Sequence, residues 1–340
     1  MSLYSGGLSS NVVCSAFLII YLNQKKFSEL IFLNTFADWH CDTASYILEN
    51  KRSIFDSDGH INLKKLEKYD SPIQVFAIWL RKEYYKNAFK KTMETARYFE
   101  KEAELYADKM KIIRNIKDIE ENKGKLSAML SIEGCEALEG DLDKLYALYD
   151  AGIRLATLTW NYKNCVATGV MERDLGGGLT DFGKTAVKEM ERLGIIVDVS
   201  HLSDEGFYDV AENTEKPFIA SHSNCRSICS FPRNLTDDQL KIIGERKGIA
   251  GLNLCVDFLS DSGKAGIDDI LKHTEHMLNI CGEDCICLGC DFDGIPIAPD
   301  GVEDVSKIDA LLDAVEAEFG KKTAKKIAKD NFMRIIGELL

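Results

Sequence analysis

The stretch GLTDFGKTAVKEMERLGIIVDVSHLS, residues 178–203, decides the fold. Its first half has a capping-type threonine at Thr180 and a stop at Gly194, which predicts a helix over residues 180–194. The chain then turns at once into IIVDVSH, residues 195–201, a continuous apolar run closing on polar side chains. Continuous rather than alternating apolarity is what a parallel strand, buried on both faces, requires.

Working outward, the same rhythm repeats. Apolar or β-branched runs occupy residues 33–41, 73–80, 127–133, 154–160, 195–201, 217–222, 249–254 and 285–291. Between them lie helical stretches: a long charged one at 82–110, then 180–194, 203–214, 236–248 and 267–282, and an amphipathic tail from Val302. Ser203 and Thr236 open their helices with N-cap chemistry. Eight strand–helix alternations predict a (β/α)8 TIM barrel, in one domain spanning residues 1–340. A doubly wound open sheet is the alternative, but no G-x-G-x-x-G or Walker-type loop supports a nucleotide site. The Gly176–Gly178 run has no strand directly before it and reads as a surface turn.

Composition narrows the function. Of 340 residues, 45% are hydrophobic and 29% charged, which excludes a disordered or fibrous chain. A net charge of −13 disfavours nucleic acid as a partner. Eleven scattered cysteines do not form a disulfide framework and fit a reducing cytoplasm. Cys287 and Cys290 make a C-x-x-C, but residues three apart on a strand face opposite ways, so they read as small buried side chains. The apolar run VVCSAFLII, residues 12–20, is too short to span a bilayer and no Lys or Arg precedes it. It reads as part of a helical extension, residues 1–32, packed on the barrel.

The polar residues that close the strands carry the chemistry. The first run ends His40-Cys41-Asp42, the third Glu133, the fifth His201, the sixth His222 and the eighth Asp291. In a barrel these ends meet at one mouth. His40 and Asp42, at i and i+2, point the same way and form a candidate chelating pair for a divalent metal. Glu133 ends a strand of apolar residues, where a carboxylate is costly unless paired or metal-bound, and its two oxygens can bridge two cations. Each histidine alone reads more readily as a satisfied core residue. Five candidate ligands at the ends of four strands favour metal: one ion on His40, Asp42 and Glu133, another on Glu133, His201 and His222. Of the remaining histidines, His60 lies in a polar loop, and His273 and His276 share a helix face away from the mouth.

The segments DWHCDT, LSIEGCEAL, LYDAGIRLATLTWN, residues 178–203, IASHSNCRSICSFPRNLTDDQL and LGCDFDGI resemble, in order and spacing, the membrane (renal) dipeptidases. The resemblance covers the chain from about Phe36 onward. It implies a barrel of the metal-dependent hydrolase type, with two zinc ions, that hydrolyses dipeptides through a hydroxide bridging the metals, tolerating a D-residue at the C-terminal position. It assigns the same five ligands, with Glu133 shared. It also implies that Arg233 holds the substrate's terminal carboxylate and that Asp291 handles protons beside the scissile bond. One departure stands out: Trp160 occupies the end of strand four, where the family's better-known members carry a histidine that polarises the carbonyl. Trp160 would line the pocket and favour slender side chains. A homodimer is compatible with this reading, and no lipid-anchor tail follows MRIIGELL. The rival functions are another binuclear amidohydrolase, acting on N-acyl amino acids or lactones, and a catalytically weak binding protein on the same barrel.

Overall fold

The computed structural model describes residues 34–340; the proposed 1–32 extension, its apolar run at 12–20 and Leu33 lie outside them. Nine strands occur among the described residues: β1 (Ala37–Asp38), β2 (Ile73–Trp79), β3 (Met110–Ile112), β4 (Leu126–Glu133), β5 (Ile153–Thr157), β6 (Ile196–Asp198), β7 (Ile219–Ala220), β8 (Ile249–Leu252) and β9 (Ile286–Leu288). All pair in parallel, and β1 joins both β2 and β9 while β2 joins β4. That closes eight strands into a barrel with helices outside, the architecture the alternation predicts. β3 stands outside the ring. It pairs with the start of β4 (Met110↔Leu126), and β5 takes over further along (Leu130↔Ile153). Every residue of β4 is buried, as a strand covered on both faces demands.

One interior cluster takes a residue from each barrel strand, from Ala37 and Ile73 round to Ile249 and Cys287. Phe332, Ile335 and Ile336 of the last helix, Asn331–Leu339, complete it and close the barrel at the strands' N-terminal end. The Trp39 and Phe332 rings lie 4.1 Å apart there. Cys287 belongs to this cluster and Cys290 to the outer core, so the C-x-x-C is split between two faces. Burial pushes the Cys287 thiol up to about 12. All ten cysteines among the described residues are unpaired.

The helices start and stop where the sequence indicates. Thr180 accepts from the Gly183 N–H, and Gly194 ends that helix at φ 79°. Ser203 caps Asp204–Asn213, and Thr236 with Gln239 forms a reciprocal capping box. The 82–110 stretch departs from expectation. It is a 3₁₀ turn, Lys82–Asn87, followed by a helix, Ala88–Leu105, and the chain is already in β3 at Met110. The aromatic pair Tyr84-Tyr85 and Asn87 are weak helix formers, and Asn87 leaves the helical region at φ −138°. The tail from Val302 is likewise broken, with Gly320 ending Ile308–Phe319 and a π turn at Lys326–Asp330.

Two buried aspartates take backbone donors at the ends of the ladders. Asp38 Oδ1 accepts from the Cys290 N–H at 2.8 Å, and Asp198 Oδ1 accepts from Ser200 at 3.0 Å and Ser221 at 2.8 Å. Backbone bonds continue past those points, Asp291 N–H to the His40 carbonyl at 3.1 Å and Asp42 N–H to the Phe292 carbonyl at 2.8 Å, and carry the strand ends to the mouth. Two glycines make room there. A Cβ on Gly251 or Gly289 would lie 1.9 or 2.0 Å from the Ser221 carbonyl oxygen, so neither position admits a side chain.

Candidate metal centre

The barrel brings all six strand-end residues to one place. His40 and His222 are fully buried with rings stacked at 3.8 Å, and Glu133 is 4% exposed. Glu133 uses its two oxygens in two directions. Oε2 faces His40 Nε2 at 3.7 Å, whereas Oε1 faces His201 Nε2 at 2.9 Å and His222 Nε2 at 3.5 Å. Asp42 Oδ1 lies 3.5 Å from His40 Nε2 and has no hydrogen-bond partner. One ligand atom each from His40, Glu133 and His222 falls within 4.8 Å of the others. His201 and Asp291 hold the left-handed backbone (φ 66° and 62°), sparsely populated by non-glycine residues and concentrated at functional sites.

The hydrogen bonds behind the rings fix which nitrogens face inward. His201 Nδ1 is 2.9 Å from Asn161 Oδ1, an acceptor, so Nδ1 carries the proton. His222 Nδ1 is 2.6 Å from Ser221 Oγ, whose own hydroxyl is directed to Asp198 Oδ2 at 2.6 Å. Both Nε2 atoms therefore present lone pairs, and they meet at 3.1 Å beside Glu133 Oε1. Three lone pairs converging in a dry pocket repel unless a cation sits among them. Both His40 ring nitrogens and Asp42 Oδ1 are buried orphans as well. The donor set, imidazole nitrogen plus carboxylate oxygen, fits a divalent ion such as zinc.

The electrostatics agree. Burial alone would lower His40, but Glu133, Asp42 and Asp291 outweigh it and raise it well above its ordinary value. Burial would raise Glu133, yet the neighbouring His40 leads the contacts that outweigh it and hold it well below the usual range. His201 falls to about 4 through burial and the nearby Arg233. Asp42 is pushed well up by burial and by Glu133. Asp291 rises to about 6 through burial, with His40 pulling down and Glu133 pushing up. Its Oδ2 is held by Asn253 Nδ2 at 3.0 Å, leaving Oδ1 toward the centre, 3.8 Å from His40 Nε2.

Arg233 is 4% exposed beside this centre. Nη1 donates to Ser223 Oγ at 2.7 Å and Nη2 to the His222 carbonyl at 3.0 Å, while Nε has no partner. Trp160 is half-buried. Its ring meets Trp79 edge-on at 5.2 Å, Tyr162 at 5.5 Å and His201 at 6.3 Å. The outlying histidines stay outside. His273 is buried, its Nδ1 accepting from the Cys225 N–H, and His276 pairs with Asp237 at 2.7 Å. His60 is tied to the eighth barrel strand's end, where its Nδ1 accepts from the Asp293 N–H at 2.9 Å.

Several functional candidates carry no sequence signal of their own. Asn161 and Ser221 orient the two histidines, and Asn253 orients Asp291. Glu136 was visible only as part of the LSIEGCEAL segment. It is buried, its Oε1 has no partner, and burial raises it to about 7.

Comparison with known proteins places the chain. Residues 24–339 match the family model for membrane dipeptidases, peptidase family M19. A Klebsiella pneumoniae protein, described as an uncharacterized protein in the pqqA 5' region, is 34% identical over 242 residues, 68% of this chain and 89% of that one. A metallo peptidase from Rhodobacter sphaeroides, solved with a phosphinate mimic of the dipeptide L-Ala-D-Ala, superimposes with a TM-score of 0.84 at 27% identity, over 90% of this chain and 99% of that chain. The probable dipeptidase PvdM from Pseudomonas aeruginosa shares the fold, with a TM-score of 0.79 at 18% identity over 93% and 98% of the two chains. No helix among the described residues is long and apolar enough to cross a membrane.

Proposed function

The chain belongs to the membrane dipeptidase family, and from that premise we propose that it is a two-zinc dipeptidase that accepts L-L and L-D dipeptides. The observation that carries the reading is Glu133, whose two oxygens face His40 on one side and His201 with His222 on the other. His40, Asp42 and Glu133 would hold one zinc, and Glu133, His201 and His222 the other. Tolerance of a D-residue rests on the relative that binds an L-Ala-D-Ala mimic. The unpaired cysteines suit a reducing cytoplasm, where we place the enzyme.

The chemistry a zinc pair supplies when bound is polarisation of the scissile carbonyl and activation of water near neutral pH. The chain's own residues do the rest. Arg233 binds the substrate's terminal carboxylate and so sets dipeptide length. Asp291, with Oδ2 anchored by Asn253, takes the attacking water's proton on Oδ1 and passes it to the leaving amine. Trp160, packed on Trp79 and Tyr162, walls the pocket and narrows it.

The test is a panel of L-L and L-D dipeptides on zinc-loaded protein, with released amino acids quantified and metal content measured. Turnover of free dipeptides with about two zinc ions per chain is expected. Fully loaded protein that cleaves no member of the panel would overturn the proposal.

A further inference from the structure

A buried hydrogen-bonded chain runs behind His222. Asp198, at the end of β6, is fully buried. Its Oδ1 accepts the backbone N–H groups of Ser200 and Ser221 at 3.0 and 2.8 Å. Its Oδ2 accepts the hydroxyls of Thr157 and Ser221 at 2.5 and 2.6 Å. Four donors surround the carboxylate, so it acts as an acceptor only. A serine hydroxyl has a single proton, and Ser221 gives its own to Asp198. Toward His222 Nδ1, 2.6 Å away, Ser221 Oγ can only accept. The opposite tautomer would press two lone pairs together at that distance.

We propose that Asp198 is a positioning residue that acts through the Ser221 hydroxyl to hold the His222 proton on Nδ1, so that Nε2 is bare before any metal arrives. The proposal deepens the metal reading above and rests on it only for the consequence in zinc affinity. The relay serves one histidine of the pair, because His201 takes its orientation from Asn161 instead. Its effect therefore falls on the half of the centre that contains His222.

Asp198→Asn separates charge from shape. The two backbone N–H groups can be met only by an oxygen, so the amide oxygen takes the Oδ1 place and the NH2 group faces the Thr157 and Ser221 hydroxyls. The amide then donates to Ser221 Oγ. The serine proton turns onto His222 Nδ1, and the ring proton moves to Nε2. The side chain keeps its volume, but the ring presents a proton where it had presented a lone pair.

The tautomer is read directly by ¹H–¹⁵N correlation spectra of the ¹⁵N-histidine-labelled, metal-free full chain, with the His222 signals assigned by their loss in His222→Gln. The wild type is expected to show His222 protonated on Nδ1, and Asp198→Asn to show it on Nε2. Zinc affinity by chelator competition should fall 10- to 100-fold in Asp198→Asn at one of two sites, the range for loss of a ligand-orienting partner. Ser221→Ala, which removes the hydroxyl, should lose the exclusive Nδ1–H signal, and Ser221→Thr should restore it; this pair carries the test where Asp198→Asn does not fold. A wild-type His222 protonated on Nε2, or a tautomer unchanged in Asp198→Asn or in Ser221→Ala, overturns the proposal. Wild-type protein that shows the expected tautomers yet binds no zinc supports the relay and refutes the proposed function instead.

Discussion

Arg233→Met isolates recognition of the substrate's end from the rest of catalysis. The guanidinium is buried, and burial lowers it only to about 10, so it remains charged at neutral pH. Its removal should cost the fold little. Ser223 Oγ keeps Ser200 at 3.2 Å and the His222 carbonyl keeps Asn253 at 3.3 Å, so neither acceptor is orphaned. What is lost is a charge-assisted bidentate contact to carboxylate, worth about 2–4 kcal/mol. At about 1.4 kcal/mol per tenfold, KM should rise about 30- to 700-fold. The assay is a double-mutant cycle: kcat/KM for a free dipeptide and for its C-terminal amide, in wild type and variant, with zinc content measured alongside. Wild type should discriminate strongly against the amide, and Arg233→Met should treat both alike at unchanged zinc content. A variant that keeps the wild-type preference for the free acid would remove Arg233 from this role.

Three other outcomes are expected. Glu133→Gln should lower zinc content at both sites by elemental analysis, because one carboxylate serves both, whereas His201→Ala should empty mainly one; equal losses would contradict a shared Glu133. Trp160→His should leave zinc content intact and raise kcat, since a donor aimed at the developing oxyanion is worth roughly 2.7–4 kcal/mol; unchanged kcat and unchanged substrate preference would show that this wall does not reach the substrate. Glu136 stands at about 7 in the folded protein against an ordinary 4.5, so the native state holds its proton longer than the unfolded chain and stability falls as pH rises from about 4.5 to 7. Glu136→Gln should abolish that fall and stabilise metal-free protein at pH 8 by about 3 kcal/mol in denaturant unfolding, at 1.36 kcal/mol per pH unit; parallel pH profiles would refute it.

The barrel was legible because a strand buried on both faces needs mostly apolar residues, and the eight ring strands lie in such runs, broken by buried polar residues such as Asp38, Gln74 and Asp198. β3 was not, because three residues with an exposed Lys111 leave no pattern longer than a turn. The ligands could be read because histidines and carboxylates at the ends of apolar runs have few other reasons to be there. Their orienting partners could not. Ser221 and Asn161 are ordinary polar residues in sequence, and only the register that sets Asp198 opposite Ile219 brings Ser221 within reach of the aspartate. His60 shows the same limit from the other side, since a loop histidine folds back onto Asp293 across most of the chain.

The floor of the barrel also sets a timetable for the molecule's birth. Trp39 emerges before most of the barrel during synthesis, but the ring it packs on, Phe332, emerges only after every barrel strand. β1 likewise waits for β9 before its second edge is paired. A chain made from its N-terminus onward therefore carries an unpaired β1 edge until β9 is made and an uncovered apolar floor until Phe332, Ile335 and Ile336 are made. The barrel can close only after β9 and the last helix have both been made, and until then its first strand edge is open to pairing with other chains.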